Sequence, residues 1–270
     1  MESIIPQVLD ENQRNLFEER KEIDFSASLA GKGRFRVNLF NQIKGLAGVF
    51  RTIPEVVKDF DDLGIPPVLK SLALLDRGLV LLTGPTGSGK STTLAAMVDH
   101  INMQRKCHII TIEDPVDYQI NGINQIHVNP KVGLTFAAGL RSIVRQDPDV
   151  IMVGEMRDLE AAEIGIRAAL TGHVVFSTLH TNDAPSAIAR LVDMGAEDYL
   201  LASSILGVLA QRLIRVICPH CKEEQPLEKS VLEEIGFPLD AKTRLYQGKG
   251  CKECGQTGFQ GRVAIFELML

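Results

Sequence analysis

Tryptophan is absent from this 270-residue chain, tyrosine occurs three times, and aromatic residues make up only 5% of it. So few ring faces weigh against a stacking platform for single-stranded nucleic acid. An excess of positive charge is also missing. Lysine and arginine number 29 against 34 aspartates and glutamates, for a net charge of −5. That excludes a protein that coats nucleic acid or an anionic bilayer by charge alone. No long hydrophobic run occurs. The most apolar helical window, Tyr199 to Ala210, contains Ser203 and Ser204 and ends at Gln211 and Arg212, so it is too short to span a bilayer. The opening stretch, MESIIPQVLDENQ, has no basic segment followed by an apolar one, and no secretory leader is expected. These absences predict a soluble, cytoplasmic chain. Cysteine is sparse as well. Of five, four fall in two CxxC pairs, which in that compartment favours metal over disulfides.

What is present is an ordinary globular composition, 45% apolar and 23% charged, enough for one large or two ordinary domains. Residues 1–60 read as a small α+β unit. Val8 to Arg20 has helical character. IDFSASL then alternates, with Ile23, Phe25, Ala27 and Leu29 on one face. RFRVNLF alternates again, with Phe35, Val37 and Leu39 inward and Arg34, Arg36 and Asn38 outward. LAGVFRTI, closed by Pro54, completes an antiparallel meander. DDLGIPP opens a linker over 61–71. Strands then alternate with helices over 72–217, with strands at Leu79 to Thr83, His108 to Ile112, Val150 to Val153 and Val174 to Thr178. This pattern predicts a doubly wound α/β domain. Residues 218–258 turn to cysteine, lysine and glutamate, and 259–270 resume the larger domain.

The stretch VLLTGPTGSGKSTTL runs from an apolar strand through glycines into a helix-like segment. Gly84, Pro85, Thr86, Gly87, Ser88, Gly89, Lys90 and Ser91 fit G-x-x-x-x-G-K-[ST], a pattern that arises by chance in roughly one chain in a hundred of this length. The glycines let backbone N–H groups ring an anion. The helix over 91–102 points its positive end at the same place. Lys90 is suited to the β- and γ-phosphates and Ser91 to Mg²⁺.

Three further strands end in polar residues, and in an open α/β sheet the strand C-termini converge on the ligand crevice. IITIEDP delivers Glu113 and Asp114. DVIMVGEMRD delivers Glu155. VVFSTLHT delivers Ser177, Thr178 and His180. A carboxylate there can orient the attacking water or hold metal, and Glu155 is the first choice for water activation, with Glu113 second. His180 could contact a γ-phosphate and report its loss. The plainer reading, polar strand ends facing water, is weakened by three such ends beside one phosphate loop.

Residues 31–58 hold six basic side chains (Lys32, Arg34, Arg36, Lys44, Arg51 and Lys58) against one acid, Glu55. Arg36 and Arg51 could reach a γ-phosphate bound by a neighbouring subunit, as arginine fingers do. Arg141 and Arg145, in LRSIVRQ, are spaced to share a helical face. Solvated surface arginines are the competing reading for each.

Cys218-Pro-His-Cys221 and Cys251-Lys-Glu-Cys254 are two knuckles whose four thiolates suit a closed, structural Zn²⁺ site. A helix is expected over 227–235 between them. Two redox pairs are the rival reading, but neither lies at a strand–helix turn. His220 is expected to stand aside, and Cys107 to be buried.

Together GPTGSGKSTT, TIEDPVDY, LRSIVRQDPDVIMVGEMRD and TGHVVFSTLHTNDA resemble, in order, the boxes of the secretion ATPase superfamily, which powers type II secretion and the assembly or retraction of type IV pili. RFRVNLFNQ and GVFRTIP resemble its arginine-bearing N-terminal subdomain. The resemblance covers about residues 20–270. It implies a RecA-like P-loop ATPase domain preceded by the small α+β subdomain and followed by a four-cysteine zinc-binding module. It implies ATP held between the two domains by residues 84–92, Thr92 included, and Mg²⁺ on Ser91. Glu155 would be the catalytic glutamate, Glu113 its helper, His180 the sensor, and Arg36, Arg51, Arg141 and Arg145 the arginines that close the site. The implied partners are further copies in a homohexameric ring and an inner-membrane platform protein, with no nucleic acid. The first half, including the Met of GEMRD, is most similar to retraction members. The second half, with its cysteines, is similar to secretion and pilus-assembly members. Unlike those, the chain begins without the long N-terminal docking domain, and it stops just after GRVAIFELML, where family members continue.

Two readings from other classes stand beside this one. A RecA-like nucleic-acid translocase would show ATP turnover stimulated by single-stranded DNA with steep salt dependence. A nucleotide-binding regulatory module would show no steady phosphate release.

Overall fold

A computed structural model describes residues 8–29, 31–53, 56–225 and 244–270. The expected helix over 227–235, and Pro54, lie outside the described residues. In the N-terminal unit, Val8 is helical, but the chain breaks at Leu9 and Asp10, and α1 (Glu11–Arg20) starts afresh where Asp10 forms a capping box with Gln13. It packs on a three-stranded antiparallel sheet of β1 (Glu22–Leu29), β2 (Gly33–Gln42) and β3 (Gly45–Ile53) in that order. Leu9, Val37 and Leu39 form its small core, with Phe17, Ile23, Phe25, Ala27 and Phe35 against them. Leu29, expected inward, is exposed at the sheet margin.

The 61–71 segment is partly helical. Asp59 caps α2 (Phe60–Leu63) through a bond to the Asp62 amide, and α3 (Val68–Ala73) follows. Phe60, Ile65 and Leu69 are buried, so this segment is seated in the core of the larger unit.

That unit is built on a seven-stranded sheet. Its strands are β4 (Gly78–Thr83), β5 (Ile109–Glu113), β6 (Asn124–His127), β7 (Val150–Val153), β8 (Val174–Thr178), β9 (Ile205–Ile217) and β12 (Phe259–Met269). Their order is β12-β9-β4-β8-β7-β5-β6. All neighbours are parallel except β12, which pairs antiparallel with β9. Period-two alternation explains the layering. Leu79 and Leu81 of β4 face one core with α5 (Phe136–Ile143), α6 (Leu159–Leu170), α7 (Ala184–Asp193) and α8 (Asp198–Ser204). Val80 and Leu82 face the other, with α2, α3 and α4 (Lys90–Gln104). Parallel strands buried on both faces read as unbroken apolar runs, and β4 and β7 are buried throughout.

The apolar window from Tyr199 to Ala210 is not one helix. α8 ends at Ser204, and Ile205 begins β9 by pairing with Leu79. The β-rich residues that follow, ILGVLAQRLIRVI, find a sheet edge to complete, and that tertiary pairing overrides the helical spacing. Between β9 and β12, β10 (Lys222–Glu224) and β11 (Tyr246–Gly248) pair antiparallel as a separate two-stranded sheet. Among the described residues no helix is long and apolar enough to cross a membrane.

Candidate active site

The C-terminal ends of β4, β5, β7 and β8 lie side by side, since Leu82 pairs with Thr178, Val153 with Ser177 and Ile112 with Val153. The loop leaving β4 and the residues leaving the other three strands meet in a cleft of about 640 Å³. Thr86, Gly87, Gly89, Lys90, Ser91 and Thr92 line one wall, Glu113, Glu155 and His180 another, and Arg36 and Arg51 the side formed by the N-terminal sheet. Residues more than a hundred positions apart in sequence are thus gathered at one edge of the parallel sheet.

Lys90 is buried, and its Nζ donates to the carbonyls of Gly84 at 2.7 Å and Pro85 at 3.1 Å. Burial pulls its ammonium below the ordinary lysine range, with Glu155 opposing. Ser88 Oγ is the only buried side-chain polar atom without a hydrogen-bond partner among the described residues. It lies in the phosphate loop.

Glu113 Oε1 accepts from Thr111 Oγ1 at 2.6 Å and Gln125 Nε2 at 3.1 Å. Burial pushes its carboxyl above the usual range, and those two bonds only partly offset it. Glu155 behaves oppositely. Burial favours its protonation, but Arg157, which donates to Oε1, and His180, whose Nε2 lies 3.5 Å from Oε2, hold it below the usual range. The two carboxyls are therefore pushed apart in acidity, a pattern typical of sites that divide roles between acids.

Of the third strand end, Ser177 and Thr178 hydroxyls donate to the carbonyls of Val153 and Gly154 at 2.9 and 2.8 Å. They tie β8 to β7. Arg36 and Arg51 are direct cross-strand partners on β2 and β3. Like charges so placed repel. Asp24 takes part of that load, receiving Arg36 Nη2 at 2.9 Å. Asp117 takes another. Burial raises its carboxyl, while Arg36, Arg51 and Arg34 pull it down.

Arg141 and Arg145 are not brought to the cleft. α5 ends at Ile143, so Arg145 falls in the turn beyond it and the two do not share a helical face. Arg141 pairs with Glu160 of α6, and Arg145 is exposed. Cys107, expected to be buried, is partly exposed.

Sequence reasoning missed Arg157, Asp117, Gln125, Leu213 and Arg262. Arg157 and Asp117 stood beside recognised acids and could have been found by extending each strand end two to four residues. Leu213 and Arg262 line the cleft from β9 and β12. No local pattern marks them, because strand pairing alone brings them there.

The four-cysteine cluster lies where β9 and β12 leave the sheet. Cys218, Cys221, Cys251 and Cys254 place their sulfurs within 4.8 Å of one another. Near pairs are Cys218–Cys251 and Cys221–Cys254 at 3.9 Å and Cys251–Cys254 at 3.7 Å. Four sulfurs arranged tetrahedrally at about 2.3 Å from a zinc ion stand about 3.8 Å apart, so the donor set fits that metal. The amides of Cys251 and Gly258 each point at Cys254 Sγ from 3.2 Å. His220 is exposed and outside the group.

A family model described as type II/IV secretion system protein matches residues 12–270. The type II secretion system protein E of Pseudomonas aeruginosa is 55% identical over 193 residues, 72% of this chain and 38% of that protein. The type IV pilus assembly ATPase PilB of Thermus thermophilus is 46% identical over 244 residues, 87% of this chain and 27% of that protein. The chain thus spans well under half the length of the curated relatives it matches. The crystal structure of the pilus retraction motor PilT with bound ADP superposes with a TM-score of 0.76 at 36% identity, covering 100% of this chain and 69% of that one. The ATPase DotB of Legionella pneumophila gives 0.66 at 28% identity, over 78% and 63%. With a parallel sheet that gathers a phosphate loop and acidic strand ends, a PilT-like fold, and a family match along nearly its whole length, the chain belongs to the type II/IV secretion system protein family.

Proposed function

We propose that this chain is the motor portion of a secretion or pilus-assembly ATPase. It binds ATP with Mg²⁺ in the cleft and hydrolyses it to ADP and phosphate. It works as a homohexameric ring on an inner-membrane platform protein from the cytoplasmic side. The observation that carries this reading is that Lys90, Ser91, Glu113, Glu155 and His180 line one cleft with Arg36 and Arg51. Ser91 would hold the metal, which neutralises charge on the β- and γ-oxygens. The Lys90 ammonium, here engaged with two loop carbonyls, is the donor for those same oxygens. Glu155 stays ionised and orients the attacking water. Glu113, whose carboxyl burial raises, is the second carboxylate able to take that water's proton. His180, beside Glu155, is placed to register loss of the γ-phosphate. Arg36 and Arg51 supply cations from the N-terminal sheet. The four cysteines hold Zn²⁺ as a closed structural site without catalytic role.

Steady phosphate release from the purified chain tests this reading. Lys90→Ala and Glu155→Ala should each cut turnover by about a hundredfold or more. Undiminished turnover in both would refute the site assignment. Solution mass with and without a non-hydrolysable ATP analogue tests the ring. Retraction is the second reading, favoured by the likeness to PilT along the whole chain. The cysteine cluster favours secretion or assembly, and a chain that folds and purifies without zinc would reverse that choice.

A further inference from the structure

Gln211 is a side chain that the chemistry above leaves unused. It lies on β9, is 3% exposed, and sits beneath the phosphate loop. Its Nε2 donates to the Ser88 carbonyl at 2.8 Å, and its Oε1 accepts from Thr93 Oγ1 at 2.8 Å. It therefore joins the loop to the first turn of α4, whose N–H groups complete the anion cradle. Contact continues through bare backbone. A Cβ on Gly84 would meet the Gln211 carbonyl at 2.3 Å, and one on Gly89 would meet Gln211 Nε2 at 2.7 Å. Both glycines also hold positive φ, +141° and +92°. The loop is thus pressed onto this one residue from two sides, and its glycines are needed for the approach as well as for the turn.

We propose that Gln211 is a positioning residue that sets the shape of the phosphate loop for its nucleotide. It rests on the ATP-binding reading of the same cleft. Ser88 O and Thr93 Oγ1 are buried at Gln211, and removing the amide strands both. The loop then relaxes toward other partners, and its N–H groups no longer converge where phosphate must sit. Gln211 touches no reacting atom, so its loss weakens binding of ground state and transition state alike, which raises KM and spares kcat.

The test uses the full chain and compares Gln211→Met, which keeps length and loses both hydrogen bonds, with Ile166→Val, a core truncation on α6 that does not line the cleft. Fluorescent ADP and ATP analogues report Kd, and phosphate release reports KM and kcat, all measured well below each melting transition. Gln211→Met is expected to weaken both nucleotides about tenfold and raise KM to match, with kcat within about twofold. Ile166→Val is expected to bind as the parent does. Equal nucleotide affinity in Gln211→Met and parent overturns the proposal while leaving the ATPase reading intact. So does a loss shared by Ile166→Val in proportion to its lowered melting temperature. A parent chain that binds no nucleotide overturns both.

Discussion

At Glu113 the proposed chemistry and stability pull against each other. Its carboxyl is driven up by burial against only two side-chain donors, Thr111 and Gln125. A carboxylate raised in the folded state binds its proton more tightly there than in the unfolded chain. Its contribution is complete below the unfolded value, near 4.5, and is lost as pH rises through the higher folded one. At neutral pH the folded protein therefore bears a penalty for keeping Glu113 charged. Glu113→Gln removes the charge and keeps an oxygen for Thr111 and Gln125. Its melting temperature should exceed the parent's at pH 7.5, at about 2–4 °C for each 1 kcal/mol in a chain of this size. The gap should close as pH falls toward 4.5. Melting followed across pH by calorimetry checks this, and a gap that widens on acidification would contradict it. The same substitution should slow phosphate release, so the expected gain in stability comes with lost activity. Glu113 could be picked out from sequence because it ends an apolar strand. Its shifted acidity could not, because burial drives it, and neither that burial nor the partial offset from Gln125, which strand pairing brings alongside, is announced by a local pattern.

At the level of elements, caps and knuckles carry the local specificity. Asp158 caps α6 by accepting from the Ala161 amide at 2.8 Å, and α6 buries Ala161, Ala162, Ile166 and Ala169 against the sheet. Asp158→Ala should cost about 1 kcal/mol in urea-unfolding stability. A loss within error of zero would mean another group satisfies that amide. The cysteine cluster makes a second test. Zinc content should be about one ion per chain. It should fall far below that in Cys221→Ser, with a lower melting temperature. Full metal content in that variant would show that the sulfurs are not the ligands. Strands β4, β7 and β8 were legible as strands alternating with helices, and the phosphate loop as glycines between strand and helix, because each depends on chemistry within a few residues. α8 and β9 were not. Tyr199 to Ala210 has helical spacing, and only the open edge of β4 turns its second half into a strand.

Across the whole molecule, the N-terminal sheet and the larger unit share one cleft, and their charges are arranged across it. Arg36 and Arg51 stand on the first, and Glu113, Asp114, Asp117 and Glu155 on the second. The six bases against one acid over residues 31–58 indicated that this sheet wanted an acidic or anionic partner. They did not show that part of the answer, Asp117, lies in the same chain. Nor did they show that Arg36 and Arg51 would be cross-strand neighbours. That requires the register of the meander, which the turns at 29–33 and 42–45 and the inward alternation of its strands set. Arg51→Ala should lower phosphate release while leaving or raising melting temperature, because it relieves repulsion in the nucleotide-free chain. A marked drop in melting temperature would show that Arg51 braces the fold instead.

Gln211, under the phosphate loop, lies on β9, and Cys218, in the sulfur cluster, follows its last residue, Ile217, which stands about 20 Å from Gln211 at roughly 3.3 Å per residue. β12 is laced to β9 for most of that length. A pull on the knot of cysteines therefore need not travel through loops to be felt at the nucleotide, because both hang from the same stiff lever.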